Sequence, residues 1–156
     1  MPDIDDALSL AVKAHKGQKD KAGKAYILHP LRLMAAMETD AEMMTAILHD
    51  VVEDTNITIE ELRNQEYPEE VLAALDGVTR RDGESYNDFI KRVSDNTISK
   101  KVKIADLEDN MNITRLNVIG EKDMKRLGKY LRAWRYLQGT EGNSGSLLFK
   151  KSKKGQ

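Results

Sequence analysis

The stretch Ala46-Ile47-Leu48-His49-Asp50-Val51-Val52-Glu53-Asp54-Thr55 brings an apolar run to an abrupt end in one histidine and three carboxylates. If the stretch is helical, positions 49, 50, 53 and 54 are related by i, i+1, i+4 and i+5 and share a face. Asp50 and Asp54, one turn apart, then repel and weaken the helix slightly. Acids carried into the interior by so apolar a segment need a counter-charge, because an unpaired buried ion is very costly. A divalent cation is the simplest one. Any fold for this chain must therefore bury the segment and bring further ligands to its polar end.

The periodicity along the chain is helical nearly throughout, with few alternating β-branched runs to compete, so the expected fold class is all-α in one multi-helix domain. At 156 residues, one domain can bury most of its apolar surface. Helices are expected over about residues 4–16, capped by Asp3; from His29-Pro30 onward; from a Thr39 or Asp40 cap to about Val52; and after the Thr58-to-Glu61 capping box. Pro68 starts another, with Val71, Leu72, Leu75 and Val78 on its buried side. After the Arg80-Arg81-Asp82-Gly83 turn, Ser85 caps a helix through Val93. Asp95 or Asn96 precedes one over about 98–117, and a last one covers about 121–138. The expected domain is 1–138. Residues 139–156 are rich in Gly, Ser and Lys and too poor in apolar groups to pack, so they read as a flexible tail.

Composition narrows the chemistry. With no cysteine there is neither a disulfide framework nor a thiolate metal site, which leaves imidazoles and carboxylates as ligands. Net charge is −1, from 25 basic and 26 acidic residues, so no global field draws nucleic acid or an acidic membrane, and an anionic ligand must be captured locally. No run approaches the roughly 18 apolar residues of a membrane span, and the N-terminus lacks a signal-peptide pattern. A cytoplasmic location is the expectation.

Of three histidines, His29 precedes a proline at a helix start beside Tyr26-Ile27-Leu28, which should anchor it on the core. Taken with the His49-Asp50 pair it becomes a ligand candidate. The fourth ligand should be an acid in an apolar setting, and Val102-Lys103-Ile104-Ala105-Asp106-Leu107 supplies Asp106, with Asp109 and Asn110 one turn on.

The order His29, His49-Asp50, Asp106 resembles the H…HD…D signature of the HD-domain metal-dependent phosphohydrolases. The finer resemblance is to the hydrolase domain of RelA/SpoT-type proteins and their small stand-alone relatives. It is carried in order by Ala14-His15-Lys16-Gly17-Gln18, Gly23, Tyr26 to Pro30, Leu48 to Thr55, Asp76-Gly77-Val78-Thr79 and Lys103 to Asp106, and covers about residues 4–137. It implies a helical bundle with one divalent ion, commonly manganese, at its centre, and hydrolysis of the 3′-pyrophosphate of guanosine tetra- or pentaphosphate. By matching position His29, His49, Asp50 and Asp106 would hold the metal, while Glu53 and Asp54 would activate water and move protons. Lys21 and Lys19 would contact phosphates, and Asn110 the nucleotide.

Two departures bear on the substrate. Asp20-Lys21 stands where the family usually has Arg-Lys, which removes a phosphate-gripping guanidinium and introduces repulsion. Leu107 and Asp109 stand where Arg and His are common. The readings carried forward are a ppGpp 3′-pyrophosphohydrolase, an HD-type nucleotidase or phosphodiesterase with another nucleotide, and a metal-holding nucleotide-binding module without turnover. No synthetase-like region is visible, so degradation of an alarmone without its synthesis is expected. His15 is expected to cap the end of the first helix, and Trp134, Tyr130 and Leu131 to belong to the core; Arg80, Arg81 and Lys103 could supplement phosphate-binding charge, but surface arginines usually do nothing specific.

Overall fold

A computed structural model describes residues 1–139. Of the expected tail only Gly139 lies among the described residues. The described residues form α1 (Ile4–Ala14), α2 (Leu28–Ala35), α3 (Asp40–Leu48), α4 (Val51–Asp54), α5 (Ile59–Asn64), α6 (Glu69–Val78), α7 (Tyr86–Val93), α8 (Thr97–Asn110), a 3₁₀ turn at Ile113–Arg115 and α9 (Glu121–Gln138). No named strand occurs among them; Lys19 and Ala25 form an isolated antiparallel bridge. The all-α expectation holds, and no helix among the described residues is long and apolar enough to cross a membrane.

Helix starts follow local chemistry. Asp3, Thr39 and Thr58 each accept from a backbone N–H inside the first turn, and the acids three residues on reach back to the cap residue. Ser85 and Asn96 cap α7 and α8. Each such cap stabilises its helix by about 1 kcal/mol.

Two helix ends differ from expectation. The third helix stops at Leu48, His49 and Asp50 form a turn, and α4 begins at Val51. The Ala46 carbonyl, which an uninterrupted helix would offer to the Asp50 N–H, accepts instead from the His49 ring at 2.7 Å. The eighth helix ends at Asn110 rather than near 117. There Arg115 Nη2 donates to the Asp109 carbonyl at 2.6 Å, and the Asn112 side chain accepts from the Thr114 N–H at 3.2 Å. Both contacts use groups that a continuing helix would need.

Three apolar clusters hold the helices together. Ala7, Ala11, Met44, Ile47, Leu48, Leu62, Val71, Leu72 and Leu75 join α1, α3, α5 and α6. Phe89, Ile90, Val93, Leu107, Ala133 and Leu137 join α7, α8 and α9. Between them, Leu33, Met37, Ala46 and Val102 join α2, α3 and α8. Gly77 lets α6 and α8 approach: a Cβ there would meet Ser99 Cβ at 3.0 Å, and Ser99 Oγ donates to the Ala74 carbonyl at 2.7 Å. Trp134 and Tyr130 pack on the second cluster, as expected, but Leu131 is exposed, because α9 turns that face to solvent.

Candidate metal centre

The small central cluster brings α2, the α3–α4 turn and α8 together, and each contributes polar residues at the same point. His49 lies at the end of a segment with no exposed residue from Met44 to Leu48. Because its Nδ1 donates to the Ala46 carbonyl, its Nε2 is left with a lone pair. That nitrogen is buried, has no hydrogen-bond partner of good geometry, and faces Asp50 Oδ2 at 3.0 Å and Asp106 Oδ1 at 3.5 Å.

His29 is held by side chains. Its Nδ1 lies 2.6 Å from Asp109 Oδ2, and Asp109 is gripped by Arg32 Nε and Nη2 at 2.8 and 2.9 Å. Arg115 adds longer contacts at 3.4 Å. Although burial works the other way, the hydrogen bonds from His29 and Arg32 hold the Asp109 carboxyl well below the usual carboxylate range. An ionised Asp109 fixes the proton on Nδ1 and turns His29 Nε2 inward, to 2.9 Å from Asp106 Oδ1 and 3.8 Å from Asp50 Oδ2. Asp109 was read from the sequence as lying near Asp106 on its helix and as a departure from a family pattern, not as a partner of His29; its partners, 80 and 77 residues away, gave no local signal.

The nitrogens of His29 and His49 and an oxygen of Asp50 lie within 4.8 Å of one another. Asp106 is buried and shared: Oδ1 accepts from Asn110 at 2.9 Å and Oδ2 from Lys103 at 2.8 Å. Tyr26 donates its hydroxyl to Asp50 Oδ2. Burial opposes ionisation, but His49 beside Asp50 and Lys103 beside Asp106 lower both carboxyl pKa values. Against the same penalty, Asp50 raises His49, and the hydrogen bonds His29 makes to Asp106 and Asp109 raise His29.

This arrangement fits a divalent cation. Two imidazole nitrogens with their other nitrogens fixed as donors, facing two carboxylates, form an acceptor-rich set that repels itself unless protons or a metal occupy the space between. Two N and two carboxylate O donors suit manganese, iron or zinc. The structure thus brings His29, His49, Asp50 and Asp106 together.

Glu53 and Asp54, in α4, stand at the solvent side of the cluster. Partial enclosure and then the charge of Asp50 raise the pKa of both. Asp54 also receives a hydrogen bond from Gln18, whose Oε1 is 2.9 Å from His15 Nδ1. His15 occupies the C-cap of α1, as expected, its backbone N–H donating to the Ala11 and Lys13 carbonyls, while its ring turns to Gln18 and packs 5.0 Å from the Tyr26 ring. Asp20, expected to repel phosphates, folds into its own loop: Oδ1 accepts from the Ala22 and Lys24 N–H groups, both at 2.9 Å. Gly23, at φ 78°, supplies the left-handed residue this turn requires.

Two cavities flank the cluster. One, of about 360 Å³, is lined by Lys19, Lys21, Tyr26, His29 and Asn110, so the three expected substrate contacts share a wall with the metal centre. Arg115, Arg126 and Tyr130 also line it and were missed, since nothing local in the sequence ties them to this wall. The other is an open cleft of about 780 Å³ between Glu53 and the Arg80–Ser85 loop.

The family pattern described as HD domain matches residues 7–108. The chain is 35% identical over 138 residues to a guanosine-3′,5′-bis(diphosphate) 3′-pyrophosphohydrolase of Borreliella burgdorferi, covering 79% of this chain and 20% of that protein. It is 31% identical over 139 residues to the protein of the same name from Aquifex aeolicus, covering 81% and 20%. The chain thus spans about a fifth of the length of these curated relatives. A solved structure, described as a metazoan ortholog of SpoT that hydrolyzes ppGpp and plays a role in starvation responses, superposes with a TM-score of 0.72 at 23% identity. That match covers 93% of this chain and 90% of the other, and shows a shared fold.

Proposed function

The chain belongs to the HD-domain family, and from that premise we propose that it is a metal-dependent phosphohydrolase whose substrate is guanosine 3′,5′-bis(diphosphate), cleaved at the 3′-pyrophosphate. One observation carries the reading: the unpartnered Nε2 of His49 points, with His29 Nε2, at Asp50 and Asp106, beside two acids that such a shell does not need for binding alone. The names of the relatives support the choice of substrate.

His29, His49, Asp50 and Asp106 would hold one divalent ion, manganese by family resemblance, which supplies Lewis acidity toward water and phosphate oxygen when bound. Lys19, Lys21 and Asn110 would receive the nucleotide in the cavity they line beside His29. Glu53, made more basic by its enclosure and by Asp50, would take a proton from water as that oxygen bonds to the phosphorus on the 3′ oxygen. The bond from phosphorus to the 3′ oxygen breaks, and Asp54, its carboxyl also raised, returns a proton to that oxygen. Pyrophosphate and a nucleoside 5′-diphosphate result. The partner is therefore a small nucleotide, met in the cytoplasm, with no role for nucleic acid or membrane.

The test is to incubate the manganese-loaded protein with guanosine 3′,5′-bis(diphosphate) and a nucleotide panel. Release of pyrophosphate from the first is the expected result. Metal-loaded protein inert toward it but active on another nucleotide would replace this reading with an HD-type nucleotidase or phosphodiesterase. Asp20, whose carboxylate is used up in its own turn and so offers no phosphate-gripping group, keeps that second reading in view. Binding of a nucleotide with no turnover of any would leave only the sensing module.

A further inference from the structure

Lys103, read from the sequence as a source of extra phosphate-binding charge, is turned from α8 onto the metal centre. Its Nζ lies 2.8 Å from Asp106 Oδ2, with the lysine side chain 15% exposed and that of Asp106 8%. On an open helix face, an ion pair three residues apart contributes little and needs no explanation. This pair is enclosed, where the cost of desolvating an ammonium rivals what the pairing returns. Nζ also lies 5.4 Å from the centre of the buried Phe89 ring, whose face favours a cation. So fixed a charge beside a metal ligand calls for a role.

The two oxygens of Asp106 are divided between different partners. Oδ1 is 2.9 Å from His29 Nε2 and 3.5 Å from His49 Nε2, and it accepts from Asn110 at 2.9 Å. Oδ2 accepts from Lys103. Lys103 stands one turn before Asp106 on α8 and Asn110 one turn after it, so the carboxylate is held from both directions along its own helix. Asn110 uses one lone pair of Oδ1 and leaves the other for the space between the imidazoles. A carboxylate without such restraint can offer a cation one oxygen or both. Both oxygens of Asp106, added to His29, His49 and Asp50, would leave an octahedral ion such as manganese about one open position instead of about two. Water and a phosphate oxygen need a position each.

We propose that Lys103 is a positioning residue that withholds Asp106 Oδ2 from the ion and so keeps a coordination position open for water. The role rests on the metal-centre reading above and is independent of which nucleotide is cleaved. Lys103 acts only through Asp106.

The experiment loads the full-length protein with manganese and reads water-proton relaxation, which counts the exchangeable waters on the bound ion, with metal content measured in parallel. Lys103→Met should keep its manganese and lose about half of the relaxation enhancement per bound ion, as one of about two open positions closes. Lys103→Arg, which keeps a charged donor, should recover part of that loss. Lys101→Met is the control, because Lys101 lies on the same helix but is bonded to Glu38 and Glu42. An unchanged enhancement in Lys103→Met, no recovery in Lys103→Arg, or an equal loss in Lys101→Met would overturn the proposal. If Lys103→Met fails to fold or to hold manganese, Lys103→Gln, uncharged and one atom shorter, is read in its place. Loss of manganese from both variants would make Lys103 a structural residue only and overturn the role. Wild-type protein that binds manganese with the same enhancement as Lys103→Met defeats this inference alone. Wild-type protein that binds no manganese defeats the metal-centre reading with it.

Discussion

The two imidazoles of the centre are aimed by opposite means. His49 is fixed by a carbonyl three residues back on its own chain, at the point where α3 breaks. His29 is fixed by a carboxylate from α8, itself clamped by Arg32 of α2 and more loosely contacted by Arg115 beyond the end of α8. The first half of the shell is built by the local fold and cannot be altered without unmaking the turn. The second is built from side chains and can be tuned one residue at a time. A backbone partner is insensitive to substitution, whereas a side-chain partner makes metal affinity depend on residues that never touch the ion.

Removing Asp50, which faces both imidazoles at 3.0 and 3.8 Å, should erase the difference altogether. Asp50→Ala is expected to abolish manganese binding, read as metal content after gel filtration; stoichiometric metal in this variant would break the assigned shell. Glu53→Gln should keep the metal and lower kcat by roughly 10²–10⁴-fold, the usual reach of a general base. An unchanged rate would remove Glu53 from the mechanism. Asp109→Ala tests the side-chain half directly. Metal affinity should fall about 10–100-fold, with Asp109→Asn in between, because an amide oxygen can still accept from Nδ1. If affinity is untouched, His29 needs no external aim and the contrast with His49 fails. Arg32→Met removes only one support of Asp109, and calorimetry should register a loss of roughly severalfold.

The smallest effect belongs to a clamp that touches neither imidazole. Hydrogen bonds from Arg92 lower the Glu84 carboxyl from its ordinary 4.5 to about 2, and the same guanidinium holds the Asp76 and Thr79 carbonyls. A depressed folded-state pKa means the unfolded chain binds more protons between these values. The stabilisation is therefore complete above pH about 4.5 and drains away as pH falls toward about 2. Arg92→Met should flatten the acid limb of the stability curve over that window while leaving manganese affinity unchanged. A steeper limb would reverse the sign of this argument.

Helix starts were legible because caps act within three residues: Asp3, Thr39, Thr58, Ser85 and Asn96 all cap as read or stand among the alternatives read. That His29, His49, Asp50 and Asp106 converge was also foreshadowed, since histidine and acid embedded in apolar runs are costly unless they find partners. Helix ends were less so. The stop at Asn110 depends on Arg115 reaching the Asp109 carbonyl, and the break at His49 depends on its ring taking the Ala46 carbonyl. Neither competition is visible in a hydrophobic pattern.

The sequence by itself determined an all-helical chain, its caps, and the acids and imidazoles that call for a cation, because these follow from neighbours along the chain and from the cost of burying charge. Tertiary structure alone decided the rest. It turned Asp109 from a mismatch into the partner that aims His29, closed Asp20 onto its own loop, exposed Leu131, and set Arg80 and Lys129 over the Tyr86 ring. Each of these depends on which groups from distant helices meet in space, and a pairing across 80 residues leaves no mark on either residue's neighbours.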